Sequence, residues 1–270
     1  MTCSERHGEP EAIWARDQSK EDIGFFSIPT FHGGPMFSPI DVAHDICSSD
    51  SSAVVFEKLV GYAEQLGFEY CCYGFKSPLP VGGENVKVFD NYPNGWMDHY
   101  RRMGYLEIDP TVEQAMTCPR TIRWPSLEES RLSAFWQDAR DHGLKVGVAQ
   151  SSWSARGAFG LLSLARGERE IDNQEFERLS LTLSWFANAA HSAMTVHVLD
   201  SLGLGAAISL TEREREVLQW TVEGLNASDI SEKLSISAST VNWHIGKLLA
   251  KFGATNKVQA AARAVALNLL

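Results

Sequence analysis

Residues 211–257 constrain this chain most: TEREREVLQWTVEGLNASDISEKLSISASTVNWHIGKLLAKFGATNK. They predict three closely spaced helices with a tight turn before the third. Thr211 and Glu214 stand at capping-box spacing, so hydroxyl and carboxylate can satisfy free N–H groups of a first turn. Val217, Leu218 and Val222 then form an apolar stripe, and Gly224 fits a helix stop. Asn226 can cap a second helix with Ala227, Ile230 and Leu234 inward; Ser237 or Ser239 can cap the third. Val241, His244, Ile245, Leu248, Leu249 and Phe252 then recur at the spacing of one helical face. On that reading His244 is a core histidine.

The other face of the third helix offers Thr240, Asn242, Trp243, Gly246, Lys247 and Lys251. From Ser235 to Leu270 the charged residues are Lys247, Lys251, Lys257 and Arg263, in a chain of net charge -10. A locally basic segment in an acidic protein suits phosphate contact. Asn242 has the groups to read adenine, whereas Lys247 and Lys251 are placed to hold phosphates. Thr240, Asn242, Trp243, Lys247 and Lys251 are therefore the candidate DNA-contacting residues. The competing reading is an ordinary three-helix bundle with solvated lysines; pattern, caps and charge together weigh against it.

LTEREREVLQW, Gly224 and TVNWHIGKLLAKF resemble the C-terminal domain of LuxR-type transcription factors. Glu214, Leu218 and Gly224 fall on that family's most characteristic positions, and Thr240, Val241 and His244 match its recognition-helix pattern. The family often places Lys or Arg after that valine. Here it is Asn242, which leaves the base contacts open but not the fold.

A chain of 270 residues predicts two domains, and 44% hydrophobic residues suffice for a normal core. No apolar run reaches membrane-spanning length, and no basic-then-apolar leader opens the chain, so the expectation is a cytoplasmic protein without membrane contact. Its five cysteines, Cys3, Cys47, Cys71, Cys72 and Cys118, form neither a zinc pattern nor a disulfide framework. Cys71 and Cys72 lie in an apolar run and read as strand or core residues.

Residues 1–50 carry nine acids against three bases and no sustained period, predicting a mostly disordered acidic arm. Residues 53–66 read as a helix, FEYCCYGF as a strand, Pro78 and Pro80 as a loop, and VKVFD as a second strand. YPNGWMDHYRRMGY and DPTVEQAMT are two short helical stretches. RTIRW is extended, and ESRLSAFWQDARDHG is a helix ending at Gly143. KVGVAQSSW and AFGLLSLAR alternate like a hairpin, and residues 172–199 form one long amphipathic helix. The expected fold class is α+β: an α/β/α sandwich with an antiparallel sheet over 51–200, a linker over 201–209, and an all-α helix-turn-helix domain over 210–270.

Tyr92, Trp96, Tyr100, Tyr105, Trp124, Phe135 and Trp136 crowd short elements, with Asp109 among them. Buried Trp and Tyr need partners, and a buried Asp is costly without donors. Periodicity alone leaves a ligand pocket and a plain core both open. The run from Tyr92 to Leu164 resembles the autoinducer-binding domain of the same family, and this resemblance implies an N-acyl-homoserine lactone as ligand, with no further cofactor or metal. It implies that Trp96 donates to the lactone carbonyl, Asp109 accepts the amide N–H, and Tyr92 donates to the amide carbonyl, within reach also of Ser163. Trp124 and Phe135 would pack on the lactone ring and Tyr100 would flank the acyl chain. Met97 offers an adaptable wall. Gly147 would let strands approach.

The expected function is that of a ligand-controlled regulator, an activator by the commoner family behaviour, acting on quorum-sensing genes. Its implied partners are double-stranded DNA with an inverted repeat, a second copy of the chain, and RNA polymerase. Residues 172–199 and the last helix are candidate dimer faces, each equally readable as an intramolecular core stripe. The alternatives are a different small ligand, or phosphorylation; the latter needs a βα-repeat receiver that the sequence lacks. No hydrolase elbow, phosphate loop or zinc-protease motif points to an enzyme. The pairs Asp98–His99 and Asp141–His142 are sequence neighbours that point apart on a helix, so they read as solvated surface.

Overall fold

The computed structural model describes residues 38–81, 84–126, 133–155, 157–201 and 208–270. Two helices open it, α1 (Pro39–Cys47) and α2 (Ser52–Gln65). Five strands follow with helices between them: β1 (Tyr70–Val81), β2 (Glu84–Asp90), α3 (Trp96–Arg102), α4 (Pro110–Thr117), β3 (Ile122–Arg123), α5 (Ala134–Asp141), β4 (Val146–Trp153) and β5 (Phe159–Arg166). The long helix α6 (Asn173–Ser201) precedes four shorter ones, α7 (Glu212–Val222), α8 (Ala227–Leu234), α9 (Ala238–Phe252) and α10 (Lys257–Ala266).

The strands form one antiparallel sheet in the order β2-β1-β5-β4-β3. One face carries α1, α2 and α6. Leu179, Leu183, Phe186, Ala190, Met194 and Val198 of α6 meet Val55 and Leu59 of α2 and Cys71, Tyr73 and Phe75 of β1. The other face carries α3, α4 and α5 and two smaller apolar clusters. This is the expected sandwich, and the reason is strand alternation: Cys71, Tyr73 and Phe75 point to α6, while Cys72, Gly74 and Lys76 take the opposite face.

The expectation of a disordered arm over 1–50 is corrected for its last part. Ser38 accepts from the Ile40 N–H, Pro39 opens α1, and Val42 and Ile46, one turn apart, are buried against the α6 layer. A nine-residue helix is marginal alone and owes its existence to packing from the other end of the domain. Residues 1–37 of that call, and 202–207 of the expected linker, lie outside the described residues.

Pro78 and Pro80 do not end the first strand, as expected; they lie inside β1. Beyond Lys76, β1 no longer pairs with β5, and its pairing with β2 shifts register between Lys76 and Val81. Missing N–H groups are tolerated at such an irregularity. Gly143 ends the α5 region with φ +90°, as its position implied.

The last four helices enclose a second core of Val217, Leu218, Ile230, Val241, Leu248, Phe252, Ala260 and Ala264. Thr211 and Glu214 form the capping box of α7, Asn226 caps α8, and Ser237, rather than Ser239, caps α9. Ser235 takes φ 52° between α8 and α9, which makes the turn tight enough to set the third helix across the second.

Candidate functional site

Between the sheet and the layer of α3, α4 and α5 lies a cavity of about 280 Å³. The seven residues that the resemblance assigns to the ligand, Tyr92, Trp96, Tyr100, Asp109, Trp124, Phe135 and Ser163, all line it. They come from six separate segments, and the sheet is what brings them together.

Asp109 ends the loop before α4 and is its N-cap. Its Oδ1 accepts from the Thr111 N–H at 2.8 Å, and its Oδ2 accepts from the Tyr100 hydroxyl at 3.0 Å. Burial pushes its carboxyl pKa up, and these hydrogen bonds partly hold it down. Burial also raises the Tyr100 hydroxyl, with the Asp109 charge beside it. The Thr111 hydroxyl and the Val112 N–H also bear on this carboxyl, so a ligand donor reaching Asp109 would share or displace donors already present.

Around it Trp96 meets Tyr100 at 5.8 Å and Phe135 at 6.0 Å between ring centroids, and Trp124 meets Trp136 at 5.2 Å. These edge and tilted contacts fix ring orientation. Gly147 lets the segment after β3 approach β4 with the Trp124 ring lying over it. A Cβ there would lie 2.5 Å from the indole, and the Trp124 backbone N–H donates to the Gly147 carbonyl at 2.9 Å.

The sheet wall is graded in three rungs. Cys72 pairs with Asp90 and Ser163, Gly74 with Val88 and Leu161, and Lys76 with Val86 and Phe159. The first rung is polar and adjoins Tyr92; the second and third are largely apolar. The sequence reading missed this wall and Thr111. Alternation in YCCYGFKS, with small or flexible residues at every second place, was the available signal.

The expectation that His99 and His142 are solvated surface is also corrected. His99 Nε2 lies 2.6 Å from Asp138 Oδ2, to which the Tyr105 hydroxyl donates at 2.5 Å. These bonds hold the Asp138 carboxyl below its usual range and push Tyr105 up to about 12. The His142 ring sits 5.3 Å from Trp96, so the group braces the back of the cavity wall.

On α9, Asn242 and Lys247 are exposed and Trp243 is 60% exposed; the Lys247 ammonium lies 5.4 Å over the Trp243 ring. Thr240 is half-buried, its hydroxyl 2.8 Å from that of Ser237. Lys251 is the exception among the five. Its ammonium is 2.6 Å from Oε2 of the buried Glu214 and donates to the Ser209 carbonyl. It braces α9 on α7 instead of standing free for phosphate. His244, read as a core histidine, is half-buried, and its buried Nδ1 has no hydrogen-bond partner among the described residues.

Residues 51–194 match the family described as "Autoinducer binding domain", and residues 208–264 match "Bacterial regulatory proteins, luxR family". The chain is 46% identical over 237 residues to the transcriptional activator protein SolR of Ralstonia nicotianae, covering 88% of this chain and 100% of that protein. It is 33% identical to the quorum-sensing regulator RhlR of Pseudomonas aeruginosa, over 80% of this chain and 89% of the relative. Among solved structures it is similar to SdiA in complex with octanoyl-rac-glycerol, at 28% identity and TM-score 0.71, covering 86% of this chain and 94% of that one.

Proposed function

We propose that this chain, which belongs to the LuxR family of bacterial regulatory proteins, takes an N-acyl-homoserine lactone into its cavity and reads DNA in response. It is a transcriptional regulator with an autoinducer-binding domain and a helix-turn-helix domain, not an enzyme. The observation that carries the ligand reading is the convergence of Asp109, Tyr92 and Trp96 on one cavity with largely apolar walls. An amide offers one N–H and one carbonyl, and a lactone ring adds a second carbonyl. Asp109 accepts the N–H, Tyr92 and Ser163 meet the amide carbonyl, and the Trp96 indole donates to the ring carbonyl. Trp124 and Phe135 cover the ring, and Tyr100 stands between head and tail. Each tail methylene buried adds about 0.8 kcal/mol.

Binding stabilises the sensing domain by mass action and favours a homodimer whose two α9 helices meet an inverted repeat. Leu181 and Val196 of α6, and Val258 and Val265 of α10, are exposed apolar residues that suit a self-complementary face. Asn242 and Trp243 face the bases, and Lys247 the phosphates. Activation through RNA polymerase is the reading that the similarity to SolR favours.

A second ligand class has a specific observation behind it: the SdiA structure holds octanoyl-rac-glycerol. That molecule has an acyl tail but no amide N–H, so only a glycerol hydroxyl could donate to Asp109. Thermal melting with homoserine lactones of graded tail length, beside octanoyl-glycerol, separates the two. The lactone reading expects a larger melting rise with a lactone than with any acylglycerol. Equal or greater stabilisation by octanoyl-glycerol, or no rise with any lactone, would overturn it.

A further inference from the structure

We infer that Gly74 sets the length of acyl tail that the cavity accepts. This rests on the lactone reading and concerns which member of that class fits. On the cavity face, β1 presents Cys72, Gly74 and Lys76 in succession, spanning about 13 Å of strand. Glycine inside a strand costs stability unless a close approach requires it.

Three glycines of this sheet differ in what requires them. A Cβ at Gly147 would run into the Trp124 ring at 2.5 Å, and one at Gly160 would sit 2.6 Å from the Tyr73 hydroxyl and against the His191 ring. At Gly74 the nearest atom would be the Leu161 carbonyl oxygen at 4.0 Å, and its backbone is not in the left-handed region. Neither packing nor backbone geometry calls for glycine there. The space a side chain would take is the cavity itself.

Val88 and Leu161 stand on either side of Gly74 in register, so the missing side chain leaves a trough. It runs from the polar Cys72–Ser163 rung, where Tyr92 and Asp109 hold the head group, toward Lys76 and Phe159. A short tail ends before the trough. A long tail must cross Gly74 to reach the third rung, and a side chain there obstructs it the more, the larger it is.

The experiment is titration of the full chain and its Gly74→Ala and Gly74→Val variants with butanoyl, hexanoyl, octanoyl and dodecanoyl homoserine lactone, followed by melting shift. The expected result keeps butanoyl binding within about two-fold in Gly74→Val. Dodecanoyl binding falls by about ten-fold or more, the burial of two methylenes, with Gly74→Ala between. Unliganded melting does not fall in Gly74→Ala, since strand glycine is replaced into open space. Gly147→Ala, which displaces Trp124, weakens all tails alike. If the native chain binds none of these lactones, the lactone reading falls and this inference with it. If the native chain binds and Gly74→Val tracks it at every length, or loses every length equally, only the role of Gly74 is overturned.

Discussion

The Tyr100 hydroxyl donates to Asp109 Oδ2 at 3.0 Å while the first turn of α4 holds Oδ1, so one carboxylate joins helix capping to the cavity wall. The two roles are separable because asparagine caps helices about as well as aspartate.

Asp109→Asn keeps an acceptor for the Thr111 N–H but loses the charge and turns an amide N–H toward Tyr100 or the cavity. Hydrogen bonds to charged groups contribute about 1.5–3 kcal/mol. The lactone concentration giving half response should therefore rise roughly 10- to 100-fold. Unliganded melting should stay near that of the native chain. Retained lactone sensitivity would remove Asp109 from the binding site.

Lys247 and Lys251 lie one helical turn apart on α9 and have different predicted consequences. Lys251→Ala leaves the Glu214 carboxylate, 5% exposed, without its cation. Burial opposes that charge; the Lys251 ammonium and the Thr211 N–H are what keep the carboxyl below its usual range. Urea unfolding should show a loss of roughly 1–3 kcal/mol, discounted because Lys251 is itself a third exposed. Lys247→Ala should leave urea unfolding unchanged, weaken DNA binding similarly for all sequences, and reduce the salt slope by about one. The reverse pattern, a stable Lys251→Ala protein with a flattened salt dependence, would return Lys251 to the DNA face.

The DNA-reading half was legible because its signals are local. Thr211, Asn226, Ser237 and Gly224 act within four residues of themselves, and the sequence displays that range directly. The cavity is built from distant segments. Periodicity could not tell a pocket from a core around Trp96 and Phe135, and only the family resemblance assembled the set. What stayed hidden depends on long-range pairing. His99 was judged against its neighbour Asp98, but its partner is Asp138, 39 positions away. The α1 helix looked like arm because Val42 and Ile46 acquire meaning only when α6 lies across them. Gly74 looked like an ordinary strand residue until the register placed Val88 and Leu161 beside it.

His191 gives the fold a pH dependence. It is 2% exposed on α6, with Nδ1 2.7 Å from the Tyr73 hydroxyl and Nε2 3.1 Å from the Ala158 carbonyl oxygen. A carbonyl only accepts, so Nε2 carries the proton and Nδ1 accepts from Tyr73. This neutral form is satisfied at both nitrogens; the Thr195 hydroxyl lies 3.5 Å from Nε2, and no carboxylate acts on the ring among the described residues. Burial lowers its pKa from the ordinary 6.5 to about 4, the Ala158 bond opposing in part. The unfolded chain therefore binds a proton here at a higher pH than the folded chain does. Stability from this group is fully present above about pH 6.5 and is lost as pH falls toward about 4, by roughly 3 kcal/mol across that window. Urea midpoints between pH 4.5 and 7.5 should fall with acidification, and His191→Gln should be less stable at neutral pH yet show a shallower decline. An equally steep decline in that variant would place the acid sensitivity elsewhere in the chain.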